Sequence, residues 1–283
     1  LNRPDKRNAI NDAVIDALRA AVLRAHDEAD VAVLHGHGSN FCAGLDLAEA
    51  LARATGQMAR PAKRRRHNWH EVFDLIARGP IPFVGALHGA VVGGGLELAM
   101  ATHVRVADAS ALFGLPEGQR GIFVGGGGTV RIQRVVGTTV MMDMMLTGRL
   151  LDAQEALAEH IVRYVVPAGQ ALAKAQELAA RIGQNSVDTN WMIVNVLPRA
   201  QDLSHDDGLF MEQLNSNRQR PPEAQARLRE FVEGKAKPLV AKGVAQASAK
   251  AVAKVAKTPS TPAVKPSATS AAKPTVKRTK GRA

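Results

Sequence analysis

Between a proline-led β-rich run, PIPFVGALHG (80–89), and a helix-forming run, LELAM (96–100), the chain places three consecutive glycines, Gly93–Gly95. Glycine is a poor helix residue and a permissive backbone. A strand–glycine–helix junction aims free backbone N–H groups at whatever lies over the start of the helix. Without β-carbons, a ligand can come close to that backbone. The junction also carries a carboxylate, Glu97, inside the first helical turn. Phosphate-loop and dinucleotide patterns are absent: there is no G-x-x-x-x-G-K-[ST], and neither GHG (36–38) nor GGGG (125–128) completes G-x-G-x-x-G. The remaining chemistry is an oxyanion hole, with N–H donors for a carbonyl oxygen that gains charge during reaction.

Hydropathy patterning places this junction in an alternating α/β chain. Asn11 caps a helix over 12–28, with apolar residues at three- and four-residue spacing. VAVLHG (31–36) reads as a strand and HGSNFCAGLDL (37–47) as a loop of small residues. Residues 48–66 have weak patterning and end in KRRR, which suggests an exposed loop or frayed helix. NWHEVFDLIARG (68–79) is amphipathic, with Trp69, Val72, Phe73 and Ile76 on one face. HVRVAD (103–108) reads as a strand and ALFGLPEG (111–118) as a loop. Helices follow near 129–136, 139–148, 152–159 and 169–183. The rest, to about 234, reads as helical with a break around Pro198. Strands alternating with helices indicate an α/β protein with a helical C-terminal region.

The net charge of +11 is unevenly placed. Residues 235–283 carry ten lysines, two arginines and no acid, so the remaining body is near neutral. That segment has no aromatic residue and reads as a disordered Lys/Ala/Pro-rich tail. Its charge permits non-specific contact with nucleic acid, without any base-reading module. The single cysteine, Cys42, excludes an intramolecular disulfide and suggests a reducing, cytoplasmic setting. No apolar run approaches the length that spans a bilayer. LNRPDKRNAIN, at the start, reads as the exit from a strand into a turn and a helix, which implies a strand before Leu1.

FCAGLDL, GGGLELA, FGLPEGQRGI, GGGGTVRIQRVVG and MLTGRLLDAQEA occur in that order, with LNRPDKRNAI ahead of them. The set resembles the crotonase superfamily, the enoyl-CoA hydratase/isomerase family, over about 1–234. The resemblance implies a spiral of repeated ββα units over 1–165, a helical oligomerisation region over 166–234, and the tail over 235–283 outside it. It implies an oxyanion hole from the N–H groups of Leu45 and Gly94, and a catalytic pair, Glu97 and Glu117. Glu97 would activate water and Glu117 would protonate the α-carbon of a 2-enoyl-CoA, giving a 3-hydroxyacyl-CoA. Double-bond isomerisation, hydrolysis or dehalogenation are the family alternatives. Lys6, Arg7, Ala43, Asp46 and Leu47 are candidates for binding the CoA part of the substrate. His70 is a further candidate, since relatives acting on aromatic acyl-CoA use a histidine from a comparable helix. His88 and Cys42 read as packing residues. Val124 and Arg120 depart from the family pattern beside the acyl pocket. Neither a metal nor a redox cofactor is implied, and family members form trimers or hexamers.

Overall fold

The computed structural model describes residues 1–58 and 68–235. The chain divides into two compact units, Leu1–Gln225 and Ala226–Ala283. The described part of the second unit is the end of one helix and the residues to Lys235. The tail lies outside the described residues, as does the KRRR stretch.

Seven strands and ten α-helices are described. The strands are β1 (Ala32–His35), β2 (Phe83–Leu87), β3 (Ala90–Val92), β4 (Val104–Asp108), β5 (Leu112–Gly114), β6 (Leu150–Leu151) and β7 (Tyr164–Val166). The helices are α1 (Asp12–Glu28), α2 (Leu47–Ala54), α3 (Asn68–Ala77), α4 (Gly94–Ala99), α5 (Gly128–Thr147), α6 (Ala153–Ala158), α7 (Ala171–Ile182), α8 (Val187–Ala200), α9 (His205–Ser216) and α10 (Pro222–Val232). Four strands form a parallel sheet in the order β1-β2-β4-β7, and three form a second sheet in the order β3-β5-β6. β3 and β5 pair parallel, while β6 pairs antiparallel to β5.

The two faces of the larger sheet follow from alternation along β2, every residue of which is buried. Val84 and Ala86, with Val106 of β4, pack under Ala171, Ala175 and Leu178 of α7. Phe83 and Leu87 turn to the main core, where α1 contributes Ile15, Leu18 and Val22, and α3 contributes Val72, Phe73 and Ile76. A parallel strand buried on both faces reads as a continuous apolar run. PIPFVGALHG has that character.

Some expectations are corrected here and others refined. ALFGLPEG is not only loop, because its 112–114 segment pairs with β3. Residues 48–66 contain α2, whose N-cap is Asp46 with its side chain accepting from Glu49 N at 3.4 Å. Pro198 does not break the helix near it, since α8 runs on to Ala200. A proline so close to a helix end removes a single ladder bond, and the break falls after Gln201. The two helices expected near 129–136 and 139–148 abut in α5 across Gly137, whose backbone (φ 78°, ψ 162°) is not helical.

Candidate active site

Two loops meet at the start of α4. Cys42 N donates to Ala90 O at 2.9 Å and Val92 N to Cys42 O at 3.1 Å, so the chain before Gly44 runs beside β3. Glycine lets the contact tighten beyond this. A β-carbon on Gly95 would lie 2.3 Å from Cys42 O. One on Gly44, at φ +88°, would lie 2.7 Å from Val92 O and 3.2 Å from Gly94 N. Leu45 is bridged to Ile10 through its neighbours, with Ile10 N donating to Gly44 O at 2.7 Å and Asp46 N to Ile10 O at 2.9 Å. That pattern leaves the N–H of Leu45 itself pointing away from the bridge. Gly94 opens α4, where an N–H has no acceptor within the helix. The two N–H groups singled out by sequence therefore sit on loops in direct contact.

Both glutamates are buried, at 3% exposure for Glu97 and 5% for Glu117. Their surroundings differ. Glu97 Oε1 accepts from Gly126 N at 2.7 Å and from Gly128 N at 2.8 Å, and its Oε2 accepts from Gly125 N at 3.4 Å. The second glycine cluster is thus a cradle of donors suited to an acceptor-only carboxylate. Glu117 has no comparable cradle, and its Oε2 is buried with no hydrogen-bond partner. Burial, followed by the nearby Glu97 charge, holds its carboxyl above the usual range against the pull of its own backbone N–H. Its Oε1 would be 3.0 Å from a β-carbon on Gly93. Glu97 is set among backbone donors while burial shifts Glu117 toward its protonated form, and both border the same Gly93–Glu97 turn.

Comparison with known proteins agrees with this geometry. The family model described as "Enoyl-CoA hydratase/isomerase" matches residues 1–239. The chain belongs to the enoyl-CoA hydratase/isomerase family. A Mycobacterium bovis protein named as an enoyl-CoA hydratase is 35% identical over 214 residues, covering 75% of this chain and 81% of its own. A mitochondrial protein of Arabidopsis thaliana, also named as one, is 33% identical over 217 residues, covering 76% and 71%. The crystal structure of an enoyl-CoA hydratase from Bacillus anthracis superposes with a TM-score of 0.74 at 29% identity, covering 83% of this chain and 91% of that one. The fold is that of the crotonase superfamily.

Sequence reasoning assigned no role to four residues around this turn. Trp69 and Phe73, one turn apart on α3, had read only as core. A β-carbon on Gly94 would lie 2.3 Å from Trp69 Cζ3, and one on Gly126 would lie 2.7 Å from Phe73 Cε2. Their rings, 5.7 Å apart, bridge the oxyanion turn and the Glu97 cradle. Arg131 Nη1 donates to Gly126 O at 2.8 Å, and its other terminal nitrogen pairs with Asp74. That pair ties α3 to the cradle. The spacing of Asp74 from Trp69 and of Arg131 from the glycines carried no signal of this.

Most of the remaining candidates lie near the Leu45 loop. Lys6 and Arg7 are exposed on a tight turn. Arg7 O accepts from Ala43 N at 2.9 Å, so the turn docks directly on the loop. Asn8 is buried and left-handed (φ 55°), and its Nδ2 donates to His37 O at 2.9 Å and Asn40 O at 2.7 Å. Asp46 spends its oxygens on the α2 cap and on Arg3 at 3.1 Å. Burial alone would raise its carboxyl, but the Glu49 N–H and Arg3 together draw it below the usual range. Leu47 begins α2 and is 40% exposed. Cys42 is fully buried, and burial pushes its thiol up to about 12, the state of an inert packing residue. His88 Nε2 lies 3.1 Å from Gly38 O, a loop contact. His70 lines a cavity of about 560 Å³ with Asp74, His103, Arg131 and Leu197, between α3, the start of α5, and α8. Its neighbours Trp69 and Phe73, rather than His70, are the α3 residues that crowd Gly94 and Gly126.

Proposed function

We propose that the chain adds water to a 2-enoyl-CoA thioester to give a 3-hydroxyacyl-CoA, using Leu45 and Gly94 as oxyanion donors and Glu97 and Glu117 as the proton-transfer pair. The observation that carries this reading is the asymmetry of the two buried carboxyls around one glycine turn. The thioester oxygen accepts from the two N–H groups as charge builds on it. Losing one such donor typically costs about 3–4 kcal/mol. Glu97 takes a proton from the attacking water, whose oxygen bonds to the β-carbon. Glu117, whose carboxyl burial shifts toward its protonated form, delivers a proton to the α-carbon. Passing the proton from Glu97 to Glu117 restores the pair. The relatives named as hydratases support this activity, and the presence of both carboxyls favours it over isomerisation, which can proceed with one. The reaction needs no cofactor beyond the CoA of the substrate, and exposed Lys6 and Arg7 are candidates to meet its phosphates.

Crotonyl-CoA hydration, followed as loss of enoyl-thioester absorbance, tests the reading. Wild type turns over, and Glu97→Gln and Glu117→Gln lose about a hundredfold or more in kcat while remaining folded. A wild type that instead converts 3-enoyl to 2-enoyl-CoA without hydration would establish the isomerase.

The helical C-terminal region supports assembly with further copies of this chain. α8 and α9 leave Leu197, Leu209, Phe210 and Leu214 more than half exposed, and exposed apolar groups of this kind mark interaction surfaces when they cluster. A trimer, or a hexamer of two trimers, accounts for it. Non-specific nucleic-acid contact by 235–283 and a cytoplasmic location rest on charge and on cysteine usage alone. Among the described residues, no helix is long and apolar enough to cross a membrane.

A further inference from the structure

We propose that Trp69 sets the acyl length this site accepts, its indole leaving room for a short 2-enoyl group and turning longer chains away. The inference rests on the acyl-CoA reading above. The benzo edge of the indole is pressed on Gly94: a β-carbon there would lie 2.3 Å from Cζ3, 2.9 Å from Cη2 and 3.5 Å from Cε3. Helix position 94 must be glycine because the ring uses the space a methyl group would need. A carbonyl oxygen held by the Gly94 N–H sits about 2.9 Å from that nitrogen, itself about 1.46 Å from the Cα the ring covers. On this reading the acyl carbons next to the carbonyl pass close to the indole.

Two other side chains flank the Gly94 turn. Glu117 borders it at Gly93, and fully buried Phe73 fills the side toward Gly126. Trp69 is half-buried, and its ring lies 5.7 Å from that of Phe73. An indole has few rotatable bonds, and moving it from Gly94 breaks its contact with Phe73. Each methylene beyond what the pocket accommodates must displace the ring.

Two measurements test this. The first compares kcat/KM for crotonyl-CoA and 2-octenoyl-CoA in wild type and Trp69→Ala. Wild type favours the shorter substrate, and the variant shifts the ratio toward the longer one by about tenfold or more. A ratio unchanged in an active variant overturns the proposal. The second reads binding without turnover. The chain has two tryptophans, so Trp191→Phe leaves Trp69 as the sole indole reporter. Saturating butyryl-CoA should change its fluorescence, whereas CoA alone should not, and octanoyl-CoA should bind more weakly. If butyryl-CoA binds, by calorimetry, with no change in Trp69 emission, the wall is elsewhere and the proposal falls. An enzyme with no hydratase activity but with the Trp69 fluorescence response would sink the hydration reading and leave the acyl wall standing.

Discussion

The Glu97 carboxylate and the Gly126 N–H form a 2.7 Å hydrogen bond that joins the helix after the first glycine cluster to the second cluster, 29 positions later in the chain. Gly126 has no room for a side chain. A β-carbon there would lie 2.7 Å from Phe73 Cε2, 3.1 Å from Phe73 Cδ2 and 3.2 Å from Glu97 Cδ. Gly126→Ala must therefore push the phenyl ring or the carboxylate away. Overpacking of this kind costs about 1–3 kcal/mol. We expect thermal stability to fall by that order and kcat for crotonyl-CoA to fall about tenfold or more, because Glu97 loses its placement. Retention of wild-type kcat in a folded Gly126→Ala protein would remove the cradle from the mechanism.

The two glutamates should respond oppositely to replacement by glutamine. At Glu97 an amide presents its NH2 to the backbone donors of 125–128, so Glu97→Gln should be less stable than wild type. Glu117 is the reverse case. Its carboxyl is held above the ordinary range by burial and then by Glu97, so the folded state binds the proton more tightly than the unfolded state. Ionising it then works against folding. This penalty is absent below the ordinary carboxylate range, grows as pH rises to the raised value, and stays constant above it. Glu117→Gln removes it. Melting temperatures of the two proteins at pH 4 and pH 7 should show the variant gaining on wild type as pH rises. The same group should give wild-type kcat/KM an alkaline decline that Glu117→Gln lacks. A stability gap that does not vary with pH contradicts this reading of Glu117.

What could be read from sequence was whatever repeats a local rule. α1 lies where Asn11 and the apolar spacing put it, with Val14 N donating to Asn11 Oδ1 at 3.0 Å. The glycine–Glu97 junction stood out because close approach of backbone needs glycine. β6 and β7 escaped notice because strands of two and three residues carry too little pattern. The cradle under Glu97 escaped it for another reason. Its donors are backbone groups of glycines, and backbone donors have no side chain to recognise. Likewise Trp69 and Phe73 share the face of Val72 and Ile76, so periodicity alone marks all four as core. Only the three-dimensional approach to Gly94 and Gly126 separates them.

Gly44 offers a test of the loop that carries Leu45. Its φ of +88° is a conformation that side-chain-bearing residues rarely adopt, and a β-carbon would meet Val92 O at 2.7 Å. That neighbour is backbone of β3, which cannot yield without disturbing the strand. Gly44→Ala should cost about 1–3 kcal/mol of stability through the strained backbone. It should also shift the Leu45 N–H from the Gly94 N–H, and loss of one oxyanion donor lowers kcat about a hundredfold or more. Denaturant unfolding and crotonyl-CoA kinetics measured on the same preparation separate the two effects. Lowered stability with unchanged kcat would mean that Leu45 does not bind the thioester oxygen.

Arg131 bonds the glycine loop that donates to Glu97. It bonds Gly126 O at 2.8 Å and pairs with Asp74 of α3. Its side chain is 16% exposed while that of Asp74 is 50% exposed. The ion pair is therefore partly screened by water, and the bond to the Gly126 carbonyl carries more of the effect. Arg131→Met removes a charge-assisted hydrogen bond worth about 1.5–3 kcal/mol and frees the cradle loop to move. The expected result is a fall in kcat of about tenfold with KM for crotonyl-CoA little changed, since Leu45, Gly94 and the rim residues are untouched. Asp74→Asn should have a smaller effect in the same direction. Arg131→Lys should recover little, because a single ammonium does not reproduce the fork that reaches both Gly126 O and Asp74. A variant with raised KM and normal kcat would place Arg131 in substrate binding instead of in holding Glu97.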